Sequence, residues 1–293
     1  MTENTGREEM KNAGPAWIKL IVRAEPEPLE ILGQLWMEMG AGGLEEMDGG
    51  VAVYVKPGEA PAYREAVLDL ARERGWPVEI ESGEIAEENW WESWKAFFHP
   101  FRASGRLWVR PSWEDLPAPE PGIKTLVVDP GRAFGTGAHE TTRMCLDLID
   151  RTLQAESHEE MFDVGSGSGI LTVAARLLGV QRVVAIDVDP LAVSATVENC
   201  AANGVEEGVL AVRGDVRAVG GRYGLVVCNI LYQIIMGIAP ELVKRVAPGG
   251  TLVLSGFLVQ ETGGVKAMFG NLGMVSVEAL EMGPWGALVL KAP

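Results

Sequence analysis

The chain has 293 residues, 47% apolar and 23% charged, enough for two domains that each bury a core. Its net charge of −16, with 19 Asp/Glu against 8 Lys/Arg in residues 1–88, disfavours a nucleic-acid backbone as the main partner, since that affinity is built mostly from clustered Lys and Arg. Cys145, Cys200 and Cys228, with His99, His139 and His158, are too scattered for a disulfide framework or a metal site; a polar opening segment and no membrane-length apolar run lead us to expect a cytoplasmic protein without membrane contact.

In chain order, "AWIKLIVRA" (16–24) alternates as a half-buried strand does. Leu29, Leu32, Leu35, Trp36 and Met39 then recur at helical spacing up to the stop "GAGG" (40–43). "GLEEMD" and "VAVYVKP" flank the hairpin signal Gly49-Gly50. A helix with Tyr63, Ala66, Val67 and Leu70 on one face runs to Gly75, and "WPVEIESGEI" reads as a further strand. This βαββαβ order predicts a small ferredoxin-like domain over 1–87. Its surplus of acid suits either a solubilising surface or the steering of a cationic substrate.

In "ENWWESWKAFFHPFR" (88–102), Trp90, Trp94, Phe97 and Phe101 fall on one face of a predicted linker helix, 88–104; a stripe of that size more often marks burial between domains than an aromatic substrate box, the other reading open here. "RLWVRPSW" and "TLVVDP" read as strands. From residue 139 helix and strand alternate: helix to about 155, strand 161–164, helix 168–179, strand 182–187, helix 190–202, strands 209–213 and 223–228, helix 232–246, strand 250–255. Near-continuous apolar strands such as "RVVAI" predict a doubly wound α/β parallel sheet covered on both faces, over 105–293. The tail reads as strand, Gly283-Pro284 turn and strand, an antiparallel hairpin finishing the sheet.

The chemistry gathers at the strand ends. "FDVGSGSGI" (162–170) places Gly165, Gly167 and Gly169 between a strand and a helix, where free N–H groups favour an anionic group and bare backbone lets a ligand lie close. The third glycine of the dinucleotide fingerprint would fall at 170, which is Ile170. Asp163 stands before the loop, where an acid would meet an amino group, and Asp187 ends the next strand, where a carboxylate can accept from both ribose hydroxyls. That set suits S-adenosylmethionine better than a nicotinamide dinucleotide. Asp215, in "RGDV", is a candidate for the adenine amino group or a turn cap. Asn229, in "CNIL", offers an amide to hold a substrate amine in line with a methyl group. "DPGRAFGTGAHETTRMCL" (129–146) brings a Gly-Thr-Gly turn, Phe134 and His139 toward the substrate side and Thr141 and Thr142 into a helix start.

Taken together, "DPGRAFGTGAHETT", "DVGSGSGILTVAA", "AIDVDPLAVSATVENCAANGV" and "CNIL", preceded by "NWWESWKAFFHPFR" and "RLWVRPSW", resemble the bacterial PrmA family, the ribosomal protein L-eleven methyltransferases. The resemblance runs from about residue 88 to the C-terminus. It implies a Rossmann-like class I methyltransferase domain that uses S-adenosylmethionine to methylate lysine ε-amino groups and the α-amino group of that ribosomal protein, a basic partner recognised by the N-terminal domain. It also implies cofactor contacts at Thr142, Gly165, Asp187 and Asn229. The chain departs from relatives at Tyr232, where Ala is common, and at Ala138 and Glu140. A methyltransferase of the same fold acting on lysine of another protein, or on a small molecule, is the alternative.

Overall fold

The computed structural model describes residues 17–39, 41, 44–47, 49–85, 99–116, 121–129 and 139–293. The chain divides into two units, Met1–Phe97 and Phe98–Pro293. Residues 40, 42 and 43 of the proposed helix stop, all of the linker aromatics but Phe101, and Phe134 lie outside the described residues. Among the described residues no helix is long and apolar enough to cross a membrane.

In the first unit, β1 (Trp17–Arg23), α1 (Pro26–Glu38), β2 (Leu44–Met47), β3 (Gly50–Val55), α2 (Ala60–Arg74) and β4 (Glu79–Ile85) follow the expected order. The sheet runs β2-β3-β1-β4 with every neighbouring pair antiparallel, the arrangement a βαββαβ chain makes. Leu29, Leu32 and Trp36 of α1 and Tyr63 and Val67 of α2 bury one face against Leu20, Val22, Val51, Val53 and Val55. Trp36 satisfies its indole N–H on the Tyr63 carbonyl at 2.9 Å, so a large ring is buried without a stranded donor. Helix α2 ends where predicted, at Gly75 with φ 69°. The hairpin pairs Met47 with Gly50, so Gly50 belongs to the strand and not, as the Gly-Gly pattern suggested, to the connection.

The second unit opens with a small sheet, β5 (Phe101–Arg102), β6 (Leu107–Arg110) and β7 (Lys124–Val127), in the order β5-β6-β7. Phe101 therefore does not continue the predicted linker helix. Pro100 precedes it, with neither an N–H to give nor room for the preceding turn, and Phe101 pairs instead with Val109. The sheet is fastened to α3 (Glu140–Ala155) through Asp150, which has 0% exposure. Ser104 donates to it at 2.6 Å, and Arg106 donates from its side chain at 2.6 Å and its backbone at 3.0 Å. Burial works to raise the Asp150 pKa, but these bonds and one from Gln154 outweigh it and hold it below the ordinary carboxylate value.

Then come β8 (Glu160–Val164), α4 (Ile170–Leu177), β9 (Arg182–Asp187), α5 (Pro190–Ala202), β10 (Val209–Arg213), β11 (Tyr223–Asn229), α6 (Tyr232–Arg245), β12 (Val246–Leu258), α7 (Thr262–Asn271), β13 (Val275–Met282) and β14 (Trp285–Lys291). They form a seven-stranded sheet, β10-β9-β8-β11-β12-β14-β13, parallel from β10 to β12 and closed by the expected antiparallel hairpin. Successive residues of β11 go to opposite faces. Leu225 and Val227 join Ile170, Leu171, Val173 and Ala174 of α4 and the apolar side of α3, whereas Val226 and Cys228 join Ile235, Ala239 and Leu242 of α6 and Val265 and Phe269 of α7. Both faces are covered, which is why these strands read as unbroken apolar runs. The three cysteines are buried and free, as expected of small apolar residues, and burial pushes each thiol pKa up, that of Cys200 to about 11.

Candidate active site

Strand order reverses beside β8, since the chain leaves it for β9 on one side and reaches β11 on the other. The crossovers that follow β8 and β11 therefore run to opposite sides, and in sheets of this kind ligands bind in the crevice at such a switch point, beyond the carboxyl ends of the strands. The turn after β8 carries Gly165, Gly167 and Gly169 at φ 77°, 53° and 77°, a left-handed region that strains any side chain. Two of the three are also pressed by protein. A Cβ on Gly165 would stand 2.3 Å from Cγ2 of Ile230, and one on Gly169 would stand 2.8 Å from Cα of Thr196 in α5. Bareness that the pattern alone credits to a ligand is thus required at these positions by the turn after β11 and by α5. Ile230 is gripped from its other side too: at Gly256 in β12, φ 95°, a Cβ would fall 2.1 Å from the Ile230 carbonyl oxygen.

Asp187, half-buried at the end of β9, accepts from the Gly167 N–H at 2.9 Å through Oδ2 and from the Asp189 N–H at 3.0 Å through Oδ1. Each oxygen keeps a lone pair, so the carboxylate is oriented by backbone and still able to accept from a diol. Asp163 lies deeper than expected, at 0% exposure. The Thr172 hydroxyl of α4 donates to its Oδ2 at 2.7 Å, and its Oδ1 is enclosed without a hydrogen-bond partner. Burial is the main cause that pushes its pKa up to about 6; the Thr172 bonds oppose that rise and the negative charge of Asp187 adds to it. The acid expected to meet an amino group is held beneath the glycine turn, pulled inward by a threonine one helical turn into α4. Asp215 is exposed and accepts from the Arg217 N–H at 2.8 Å, which is the turn-capping role of the two foreseen for it.

Across the crevice, Asn229 ends β11 half-buried, and its Nδ2 reaches Oγ1 of buried Thr142 at 3.5 Å, the outer limit of a hydrogen bond. The two residues come together from elements far apart in sequence. His139 caps α3, its Nδ1 accepting from the Thr141 N–H at 3.3 Å, and burial lowers its pKa against the opposing charge of Glu140. Its ring meets Trp285 edge-on at 5.0 Å. Phe134 lies outside the described residues. Trp285, Thr172, Ile230 and Thr196 were missed by sequence reasoning. Their signal is only a partner distant in the chain, although the Trp after the Gly283-Pro284 turn sits where the hairpin returns to the strand ends.

Comparison with known proteins adds four findings. The family model for ribosomal protein L11 methyltransferase (PrmA) matches residues 52–293. A ribosomal protein L11 methyltransferase of Pelotomaculum thermopropionicum is 36% identical over 94% of this chain and 98% of its own length. One of Geotalea uraniireducens is 42% identical over 70% of this chain and 68% of its own. Among solved structures, a ribosomal protein L11 methylase from Lactobacillus delbrueckii subsp. bulgaricus has a TM-score of 0.61 at 28% identity, covering 67% of this chain and 100% of that one.

Proposed function

The chain belongs to the ribosomal protein L11 methyltransferase (PrmA) family, and from that premise we propose that it methylates lysine ε-amino groups and the N-terminal α-amino group of that ribosomal protein. It is a methyltransferase that uses S-adenosylmethionine. The observation that carries the reading is the crevice itself: a backbone-oriented carboxylate, Asp187, on one wall and an amide, Asn229, on the other, with the glycine turn between. The donor set fits the cofactor. Asp187 would hold the ribose diol, the glycine turn would lie along the nucleoside, and Asn229 with Thr142 would flank the reacting end.

When bound, S-adenosylmethionine supplies a methyl group already activated on a sulfonium. What remains for the chain is placement and exclusion of water. An ammonium has no lone pair, so the amine sheds a proton to solvent before attack. The Asn229 carbonyl oxygen can then accept an N–H of the neutral amine and turn its lone pair toward the methyl. No strong general base is required. The acidic N-terminal third, which holds 19 Asp/Glu against 8 Lys/Arg, supports a basic protein as the partner of that domain.

The test is the intact mass of the recombinant ribosomal protein after incubation with enzyme and cofactor, expected to rise in steps of one methyl. Asp187→Ala should weaken cofactor binding roughly 10- to 100-fold, as loss of charge-assisted hydrogen bonds does. Asn229→Ala should chiefly lower turnover. An unchanged mass, with label from the cofactor entering a different lysate band or a small molecule, would replace the substrate assignment. Unchanged cofactor affinity in Asp187→Ala would refute the placement of the ribose.

A further inference from the structure

The glycine turn is conspicuous for what holds it from outside. Helix α5 starts next to Asp187 and runs back along the turn, presenting Thr196 and Asn199, three residues apart and so on one face. The Asn199 side-chain amide donates to the Ser168 carbonyl at 2.8 Å. The Thr196 hydroxyl, with 0% exposure, lies 3.2 Å from the Gly167 carbonyl and 3.0 Å from the Ser166 hydroxyl. The helix backbone comes so close that Gly169 cannot carry a Cβ. One helical turn on, Asn203 anchors the same helix to the small sheet, its amide exchanging bonds of 2.7 and 2.8 Å with the carbonyl and N–H of Val127.

We propose that Thr196 and Asn199 are positioning residues for the cofactor, fixing the glycine turn in its binding conformation by holding the Gly167 and Ser168 carbonyls against α5. The proposal rests on the reading that the cofactor lies on this turn. Three glycines leave the turn free to sample many backbone states, and a ligand meets only the fraction that is competent, so its apparent dissociation constant is the intrinsic one divided by that fraction. Within the turn the Gly169 N–H donates to the Ser166 carbonyl; the end of β9 accepts the rest, the Ile186 carbonyl from the Gly165 and Ser166 N–H groups and Asp187 Oδ2 from the Gly167 N–H. The two carbonyls in the middle of the turn are satisfied by α5 side chains. Removing those donors strands an acceptor at buried Ser168 and leaves another unpaired at half-buried Gly167, so the turn can leave its conformation, without altering any side chain assigned to the cofactor or the amine.

The experiment is calorimetric titration of the full chain with S-adenosylhomocysteine, together with steady-state kinetics, for Asn199→Leu and Thr196→Val. Both substitutions keep approximate size and remove the donor. We expect the dissociation constant and the KM for S-adenosylmethionine to rise about tenfold in Asn199→Leu and severalfold in Thr196→Val, with the KM for the protein substrate and kcat within twofold of wild type. A residue that only supported the fold would lower the active fraction, and hence kcat, while leaving both KM values in place. Affinity within twofold of wild type in a folded variant overturns the proposal; should Asn199→Leu fail to fold, Thr196→Val decides it alone. Asp187→Ala, run alongside, separates the two failures. If it weakens binding and the α5 variants do not, only the positioning role falls; if it too leaves binding unchanged, the location of the cofactor falls.

Discussion

Replacing Asp163 by Asn should stabilise the protein increasingly as pH rises. The carboxyl has 0% exposure, one oxygen held by Thr172 and the other without a partner, and its pKa climbs from 3.8 to about 6, chiefly through burial. A pKa higher in the folded than in the unfolded chain means folding favours the protonated acid. The associated stability is therefore complete below pH 3.8 and lost as pH rises through 6. At about 1.4 kcal/mol per pH unit, the rise corresponds to about 3 kcal/mol lost by pH 7.5 and roughly half of that by pH 5. The amide that replaces the carboxyl cannot ionise and keeps an acceptor for Thr172, but leaves an N–H donor unpaired at a constant cost of ~1–3 kcal/mol. The diagnostic is thus the slope with pH and not the offset. Urea unfolding of both proteins from pH 5 to pH 7.5 should show the variant gaining on wild type by about 1–2 kcal/mol. A difference that stays flat over that range would refute the enclosure of an ionisable Asp163.

Arg106→Ala should cost about 3 kcal/mol, because it leaves the buried Asp150 carboxylate without its countercharge, with only the Ser104, Gln154 and backbone bonds to hold it; thermal unfolding measures it. As the Asp150 pKa is lowered by its bonds, their contribution is present above the ordinary value of 3.8 and lost as pH falls through the folded one, so wild type and variant should converge in acid. Gly256→Ala places a Cβ 2.1 Å from the Ile230 carbonyl at φ 95° and should cost about 3 kcal/mol or more, with cofactor affinity falling along with the unfolding midpoint in urea. Phe269→Ala in α7, which empties a fully buried site, should cost about 3–5 kcal/mol by the same denaturation assay while leaving the dissociation constant for S-adenosylhomocysteine near that of wild type.

Most of the second unit was legible because its signals are local. Pro190 marks the start of α5 by residue type alone, and the structure shows that the cap is Asp189 before it, whose side chain accepts from the Leu191 N–H at 2.8 Å. The glycine turn, Asp187 and Asn229 could be assigned to strand ends because helix and strand alternate without interruption. Helix α7 was not foreseen. Its sequence "TGGVKAMFGN" carries Gly263, Gly264 and Gly270, which argue against a helix, and it is held by Val265 and Phe269, four residues apart and both buried. Phe101 misled because a spacing of four is shared by a helix face and by chance, and Pro100 had to be weighed more heavily. The enclosure of Asp163 depends on Thr172, and the closeness of the two turns on the fit of Ile230 between Gly165 and Gly256. No periodicity encodes such meetings between distant segments.

The three enclosed thiols all belong to the second unit, on α3, α5 and β11, and the first unit has none. The molecule thereby carries its own unfolding gauge. A thiol-specific alkylating reagent added to the native protein has no thiol within reach, and each adduct counted by mass spectrometry marks an excursion that bared one named segment of the second unit. The same count is blind to any melting of the first unit, so chemistry alone tells the two kinds of opening apart.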